Sequence, residues 1–337
     1  MAGINLAIVG ATGAVGREML KVLEEREFPI GNLLCLADPR EAGTCVEYKG
    51  EKVIVEAAEA AKFSNIDIAL FAVASEISEV LGVEAASRGA VVVDNSFAFR
   101  LNKEVPLVVP EVNDYDIALH KGIIANPNCS TIIMVVAINP IYKAAGLKRV
   151  VVSTYQAVSG AGKVAIDELD EQVKAYVKGN EITTRVFQHQ IAFNLIPHID
   201  IWIDNGYTKE EMKMVWETRK IMHIDGLRIN PTTVRVPVFR SHSESINLET
   251  ERGLSVEEAR NILSAAPGVV VMDEPANNIY PMPLLSSNRD EVFVGRIRED
   301  ISLENGLNLW VAADQIRKGA ATNAIQIAEI LVRDHLY

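Results

Sequence analysis

Between residues 4 and 26 an apolar run, a glycine-rich turn and an amphipathic stretch follow one another without a break, and no other feature restricts the fold as strongly. Ile4–Val9 reads as a strand. Gly10-Ala11-Thr12-Gly13-Ala14-Val15-Gly16 follows it and opens Ala14–Arg26, whose apolar residues recur at helical spacing. Glycines let a backbone turn tightly and come close to a pyrophosphate, and the amides and positive dipole end of the following helix then hold the anion. In this strand–turn–helix context the motif predicts a dinucleotide cradle built from Gly10, Thr12, Gly13, Ala14, Val15 and Gly16.

The alternation continues. Leu33–Ala37, Ile68–Val73, Ala90–Asp94 and Ile123–Ala125 have strand character, and Glu76–Arg88 reads as a helix. Strand and helix in turn imply a parallel sheet covered on both faces. After the turn Asn126-Pro127-Asn128, a helix is expected from Cys129 to about Ala145, and then the pattern changes. Arg149–Val158, Thr232–Val238, Glu244–Glu251, Glu291–Arg298 and Leu307–Ala313 are long strand-like runs, with helices expected at Gly162–Lys178 and Lys209–His223. Few helices among long strands point to an antiparallel or mixed sheet. The expected fold class is α/β: an N-terminal Rossmann-type parallel sheet in residues 1–128 and a C-terminal α/β domain in 129–317. The last helix, within 318–337, is expected to return to the first domain. A length of 337 residues suits two domains.

The formal net charge of −12 argues against a nucleic-acid partner, which needs clustered positive charge. The three cysteines form no CxxC pair and no metal-ligand spacing, as expected of a reducing cytoplasm. The start of the chain lacks a basic and then apolar leader, and no apolar run approaches the roughly 20 residues that span a bilayer. A cytoplasmic chain with no metal and no membrane contact is the expectation.

Cys129 stands where a strand-to-helix turn becomes helix. That position favours the thiolate, the form that attacks carbonyls. Cys35, inside an apolar run, reads as a small buried hydrophobe, and Cys45 carries no signal. Among six histidines, His242 stands out: it lies between two strand-like runs, among small polar residues and near Arg235. A histidine of near-neutral pKa can move the protons that thiol chemistry requires. At the end of the second strand, Asp38 lies where an acid commonly binds the ribose 2′-hydroxyl of NAD, while Arg40 could neutralise the 2′-phosphate of NADP. Both nucleotides remain open on these residues alone.

These motifs occur together in one known group. Asn126-Pro127-Asn128-Cys129-Ser130-Thr131, Ser153–Gly162 and the Arg235 to His242 segment resemble the bacterial aspartate-semialdehyde dehydrogenase family. Val93-Asp94-Asn95-Ser96, Val108–Asn113, Glu210–Lys213 and Phe293–Arg298 extend the likeness over nearly the whole chain. The resemblance implies NADPH-dependent reduction of β-aspartyl phosphate to aspartate semialdehyde with release of inorganic phosphate, feeding lysine (through diaminopimelate), methionine, threonine and isoleucine synthesis. It implies Cys129 as nucleophile, His242 as acid–base residue and Gln156 as the residue that orients the substrate. Arg235 would grip the substrate carboxylate and Glu210 its amino group, with Glu211 as the alternative in this short motif. Arg100, Asn128 and Lys213 would form the phosphate site. Gly10, Thr12 to Gly16, Arg40, Glu41, Ser159, Gly160 and Gln315 would contact the cofactor. A homodimer built through the C-terminal catalytic domain is also implied, on the plan of glyceraldehyde-3-phosphate dehydrogenase. Asp38 and Glu41 stand where NADP-preferring members usually carry serine. A rival, N-acetyl-γ-glutamyl-phosphate reductase, usually has a glycine where this chain has Asn128. A non-catalytic nucleotide-binding paralogue would tend to lose Cys129.

Overall fold

The computed structural model describes residues 3–337, and the chain falls into two compact units. The first runs to Asn128 and takes in Gly319–Tyr337; the second is Cys129–Lys318.

The first unit holds a seven-stranded sheet of β1 (Ile4–Val9), β2 (Ile30–Ala37), β3 (Cys45–Tyr48), β4 (Glu51–Ala57), β5 (Ile68–Phe71), β6 (Val91–Asp94) and β7 (Ile123–Ala125). Their order is β3-β4-β2-β1-β5-β6-β7, and all neighbours are parallel except the β3–β4 hairpin. Helix α1 (Ala14–Glu25) buries Met19, Leu20, Val22 and Leu23. β1, β5 and β6 are apolar and almost wholly buried, as central parallel strands covered on both faces must be. The chain leaves β1 in one direction for β2 and later returns on its other side as β5. The carboxyl ends of β1 and β5 therefore form the switch point where such sheets bind ligands, and the glycine turn lies there.

The last helix, Thr322–Arg333, places Ala324, Ile325, Ile327, Ala328 and Leu331 in the core that also holds Leu6, Ile8 and Leu23. Glu329 receives a two-point bond from Arg26, at 2.7 and 2.6 Å, and His120 bonds the Leu336 carbonyl at 2.9 Å. Two features differ from the sequence expectation. The β3–β4 hairpin was not expected, because lysine and glutamate interrupt its alternation. The single helix expected over Glu76–Arg88 is instead Ser75–Ile77, wide π-type turns over Ser78–Gly82, and Val83–Ser87. Ser78 in the widened turns donates its hydroxyl to Asp94 at 2.6 Å.

The second unit begins with α2 (Cys129–Ala145), an apolar helix buried along most of its length. Then come β8 (Arg149–Gln156), α3 (Lys163–Lys178), α4 (Lys209–Met222), β9 (Arg228–Arg235), β10 (His242–Glu249), α5 (Val256–Ser264), β11 (Val269–Val271), β12 (Val292–Glu299) and β13 (Gly306–Ala313). The sheet is mixed, in the order β11-β12-β13-β10-β8-β9, with β8–β9 and β11–β12 parallel and the other pairs antiparallel. β8 alternates strictly between half-buried and buried residues, so one face of the sheet carries the core.

Two strands are displaced from expectation. The run expected at Thr232–Val238 starts at Arg228 and ends at Arg235. Pro231 masked its start; β9 is the last strand of its sheet, where proline is tolerated. The run expected at Glu244–Glu251 begins at His242, directly after Ser241, whose φ of 74° breaks the extended chain.

Candidate active site

Strand register assembles the reactive residues of the second unit. Parallel pairing sets Gln156, the last residue of β8, against Arg235, the last of β9. Antiparallel pairing of β8 with β10 sets Tyr155 against Ser243 and so brings His242 beside Gln156. Gln156, Arg235 and His242 thus share one row across three adjacent strands, and all three are buried. Their side chains leave the sheet on the same side as Thr154 and Ile246, toward the buried core.

Cys129 opens α2, and its partly exposed sulfur lies 3.5 Å from Nε2 of His242. No carboxylate stands in the first turn of α2 to offset the positive end of the helix dipole. The Ala157 amide donates to His242 Nδ1 at 3.0 Å. A nitrogen that accepts this bond has no proton of its own, so the neutral ring carries its proton on Nε2, facing the sulfur. Burial, reinforced by the nearby Arg235 cation, pushes the His242 pKa well below the usual histidine value. The ring is therefore neutral near pH 7.

The same residue holds the arginine. The Ala157 carbonyl accepts from Arg235 Nη1 at 2.7 Å. Burial pulls the Arg235 pKa below its ordinary value, while Glu210 and Cys129 act in the opposite sense. Gly160 packs against this pair. A Cβ there would meet Arg235 Nη1 at 2.9 Å and His242 Cε1 at 3.3 Å. Gly160 thus leaves room that any side chain would take from both.

Helix α4 brings in the carboxylates. Glu210 Oε1 accepts from Gln156 Nε2 at 3.2 Å, and Gln156 also donates to Thr154 Oγ1 at 3.3 Å. Glu211 has another task. It closes a capping box with Thr208 and accepts the Thr233 amide at 3.1 Å, tying α4 to β9. Of the two acids, Glu210 is the one that meets Gln156. Lys213 pairs with Glu210 at 3.1 Å and with Asp200 at 2.7 Å. Burial works against the Lys213 charge, but the two carboxylates more than offset it and raise its pKa.

Ser159 and Gln315 are both buried and hydrogen-bonded to each other. Gln315 Oε1 also accepts the amide of Ser241 at 2.9 Å, which pins the left-handed residue just before His242. Nothing in the sequence pointed to the Ala157 amide and carbonyl, because a backbone group leaves no residue signature. Asp200 was also missed: it lies in an irregular segment without periodicity.

The remaining candidates belong to the first unit. Arg100 is buried and donates through Nη2 to the Asn95 carbonyl at 2.7 Å. Asn128, also buried, ends the first of that unit's two chain segments. The glycine turn is tightly built. Gly10 has a φ of 88°, and a Cβ on it would come within 2.3 Å of the Ala72 carbonyl oxygen. A Cβ on Gly16 would come within 2.2 Å of the Gly10 oxygen. The start of α1 has no side-chain cap and no acid in its first turn, so it fits the pyrophosphate of a dinucleotide. At the end of β2, Arg40 grips Asp38 with Nε at 2.8 Å and Nη2 at 2.9 Å, while Thr12 donates its hydroxyl to Glu41 at 2.8 Å.

Known proteins share this plan. Residues 5–120 match the family model described as "Semialdehyde dehydrogenase, NAD binding domain", and residues 138–318 match "Semialdehyde dehydrogenase, dimerisation domain". The class is that of semialdehyde dehydrogenases. An aspartate-semialdehyde dehydrogenase of Aquifex aeolicus is 57% identical over 99% of both chains. Aspartate semialdehyde dehydrogenase II of Vibrio cholerae, solved as a complex with ASA, superposes with a TM-score of 0.97 at 49% identity over 99% of each chain. The Candida albicans enzyme, solved with NADP, gives a TM-score of 0.76 at 25% identity, over 99% of this chain and all of that one. The chain belongs to the aspartate-semialdehyde dehydrogenase family and is an oxidoreductase.

Proposed function

We propose that the chain catalyses the reductive dephosphorylation of L-4-aspartyl phosphate to L-aspartate 4-semialdehyde and inorganic phosphate, a step of amino-acid biosynthesis, through a thioacyl intermediate on Cys129. The observation that carries this reading is the Cys129 sulfur at a helix start, 3.5 Å from the Nε2 of a buried, neutral histidine.

In this mechanism the Cys129 thiolate attacks the acyl carbon, and the C–O bond to phosphate breaks to leave a thioester. The bound nicotinamide nucleotide, NADP(H) as in the Candida relative, supplies the hydride that reduces the thioester. Collapse of the resulting thiohemiacetal oxyanion returns the aldehyde and the thiolate. His242 is the acid–base residue and presents its Nε2–H to the sulfur. Arg235 holds the substrate carboxylate, Glu210 its ammonium group, and Gln156 sets the acyl carbon beside the sulfur. Arg100, Asn128 and Lys213 receive the phosphate. Gly10, Thr12 to Gly16, Arg40 and Glu41 hold the nucleotide, with Ser159, Gly160 and Gln315 on the catalytic unit. The likeness of residues 138–318 to a dimerisation domain supports a homodimer. The three free cysteines suit a reducing cytoplasm. Among the described residues, no helix is long and apolar enough to cross a membrane.

The test follows nicotinamide absorbance with aspartate semialdehyde, phosphate and NADP+, the reverse direction. Phosphate-dependent reduction of the nucleotide is expected in the wild type and not in Cys129→Ala. Turnover in that variant would refute the assignment.

A further inference from the structure

On the reading of Gly10–Gly16 as a dinucleotide cradle, we infer that this chain accepts NAD(H) as well as NADP(H), and that Asp38 receives the ribose 2′-hydroxyl and decides between the two. The glycine turn is stitched to the end of β2: the amides of Gly10 and Ala11 donate to the Leu36 carbonyl at 2.8 and 3.1 Å. Asp38 follows two residues later, at the carboxyl end of a strand beside the turn, where such sheets receive the adenosine ribose.

The state of its carboxylate favours a hydroxyl over a phosphate. Two carboxylate oxygens offer about four acceptor sites. Arg40 uses three of them: its amide (2.9 Å) and Nε (2.8 Å) on Oδ1, and its Nη2 (2.9 Å) on Oδ2. A site on Oδ2 remains for a ribose hydroxyl without disturbing this arrangement. A 2′-phosphate asks for more. It draws the Arg40 fork away from Asp38 and leaves that carboxylate facing a group with nearly two negative charges.

Glu41 adds to the effect. Its carboxylate takes the hydroxyl of Thr12 in the glycine turn at 2.8 Å, so a second negative group is turned toward the cradle. At the end of β2, Asp38 and Glu41 bring two negative charges against the one positive charge of Arg40. Arg17, the other cation on the turn, is directed at the Thr12 carbonyl at 2.9 Å.

The full-length protein, freed of nucleotide, is titrated with NAD+ and with NADP+ in a calorimeter. The Kd for NAD+ is expected within about tenfold of that for NADP+, and Asp38→Ser should move the ratio toward NADP+ by at least about fivefold. Asp38 is exposed, so its replacement leaves the core intact. A wild type that prefers NADP+ by more than about tenfold, or a smaller shift in Asp38→Ser, overturns the inference. Failure of both nucleotides to bind overturns the cradle reading itself.

Discussion

The backbone of one residue, Ala157, sets the geometry of the two most constrained side chains of the site. The Ala157 amide fixes the tautomer of His242, and the Ala157 carbonyl fixes the fork of Arg235. Movement of this residue therefore displaces both together. Gly160 reports on the arrangement, because its missing Cβ faces the same two side chains. Gly160→Ala should lower kcat/KM by about 10–100-fold, since small misplacements of reacting groups cost that much, while the melting temperature changes little. Steady-state kinetics beside a thermal melt would show it, and unchanged kinetics would mean the pair has slack. Arg235→Lys should raise KM for aspartate semialdehyde sharply, because one ammonium cannot reproduce a planar fork. An unaltered KM would remove the carboxylate role. At this scale Cys129 and His242 were legible, since a turn before a helix and a polar island between strands leave marks in sequence. The backbone groups of Ala157 and the left-handed Ser241 leave none.

Elements were legible where their period was clean. The Gly10 turn, α1, α2 and the central parallel strands follow from apolar spacing, because burial on one or both faces dictates it. Where charge interrupts the period the reading failed, as in β3 and β4. Helix α5 was missed although Ser255 and Glu258 form a capping box, a signal present in the sequence as Ser-x-x-Glu. The matching box on α4 has a measurable consequence. Thr208 accepts the Glu211 amide, and Glu211 reaches back to the Thr208 amide and across to Thr233. This box orients the first turn, which carries Glu210 toward Gln156. Thr208→Ala should cost about 1 kcal/mol of stability. It should also raise KM more than it lowers kcat, because the turn it loosens holds the group assigned to the substrate amine. Denaturant melts with kinetics on the same sample separate the two effects, and a kcat loss alone would contradict the assignment.

For the whole molecule, two buried groups two residues apart on β10 set how stability depends on pH. Glu244 is fully buried on β10, and neither of its carboxyl oxygens has a hydrogen-bond partner among the described residues. Burial pushes its pKa well above the carboxylate range, so it stays neutral in the fold. The unfolded chain ionises this group above about pH 4.3, so each further pH unit costs the fold about 1.4 kcal/mol until the folded group also ionises. His242 acts in the opposite sense. Its pKa is pushed well below normal, so the unfolded chain takes up a proton below about pH 6.5 that the fold refuses. Between about pH 4.3 and 6.5 the two slopes cancel; above that window only the glutamate slope remains, and below it only the histidine slope. Glu244→Gln should therefore raise the melting temperature at pH 7–8, by about 2–4 °C for each kcal/mol recovered, and leave it nearly unchanged at pH 4. His242→Asn, whose amide oxygen can still accept the Ala157 amide, should flatten the acid limb and spare the alkaline one. Melts from pH 4 to 8 decide it: a gain in Glu244→Gln that is equal at both ends would show that the glutamate costs the fold through packing rather than through its proton.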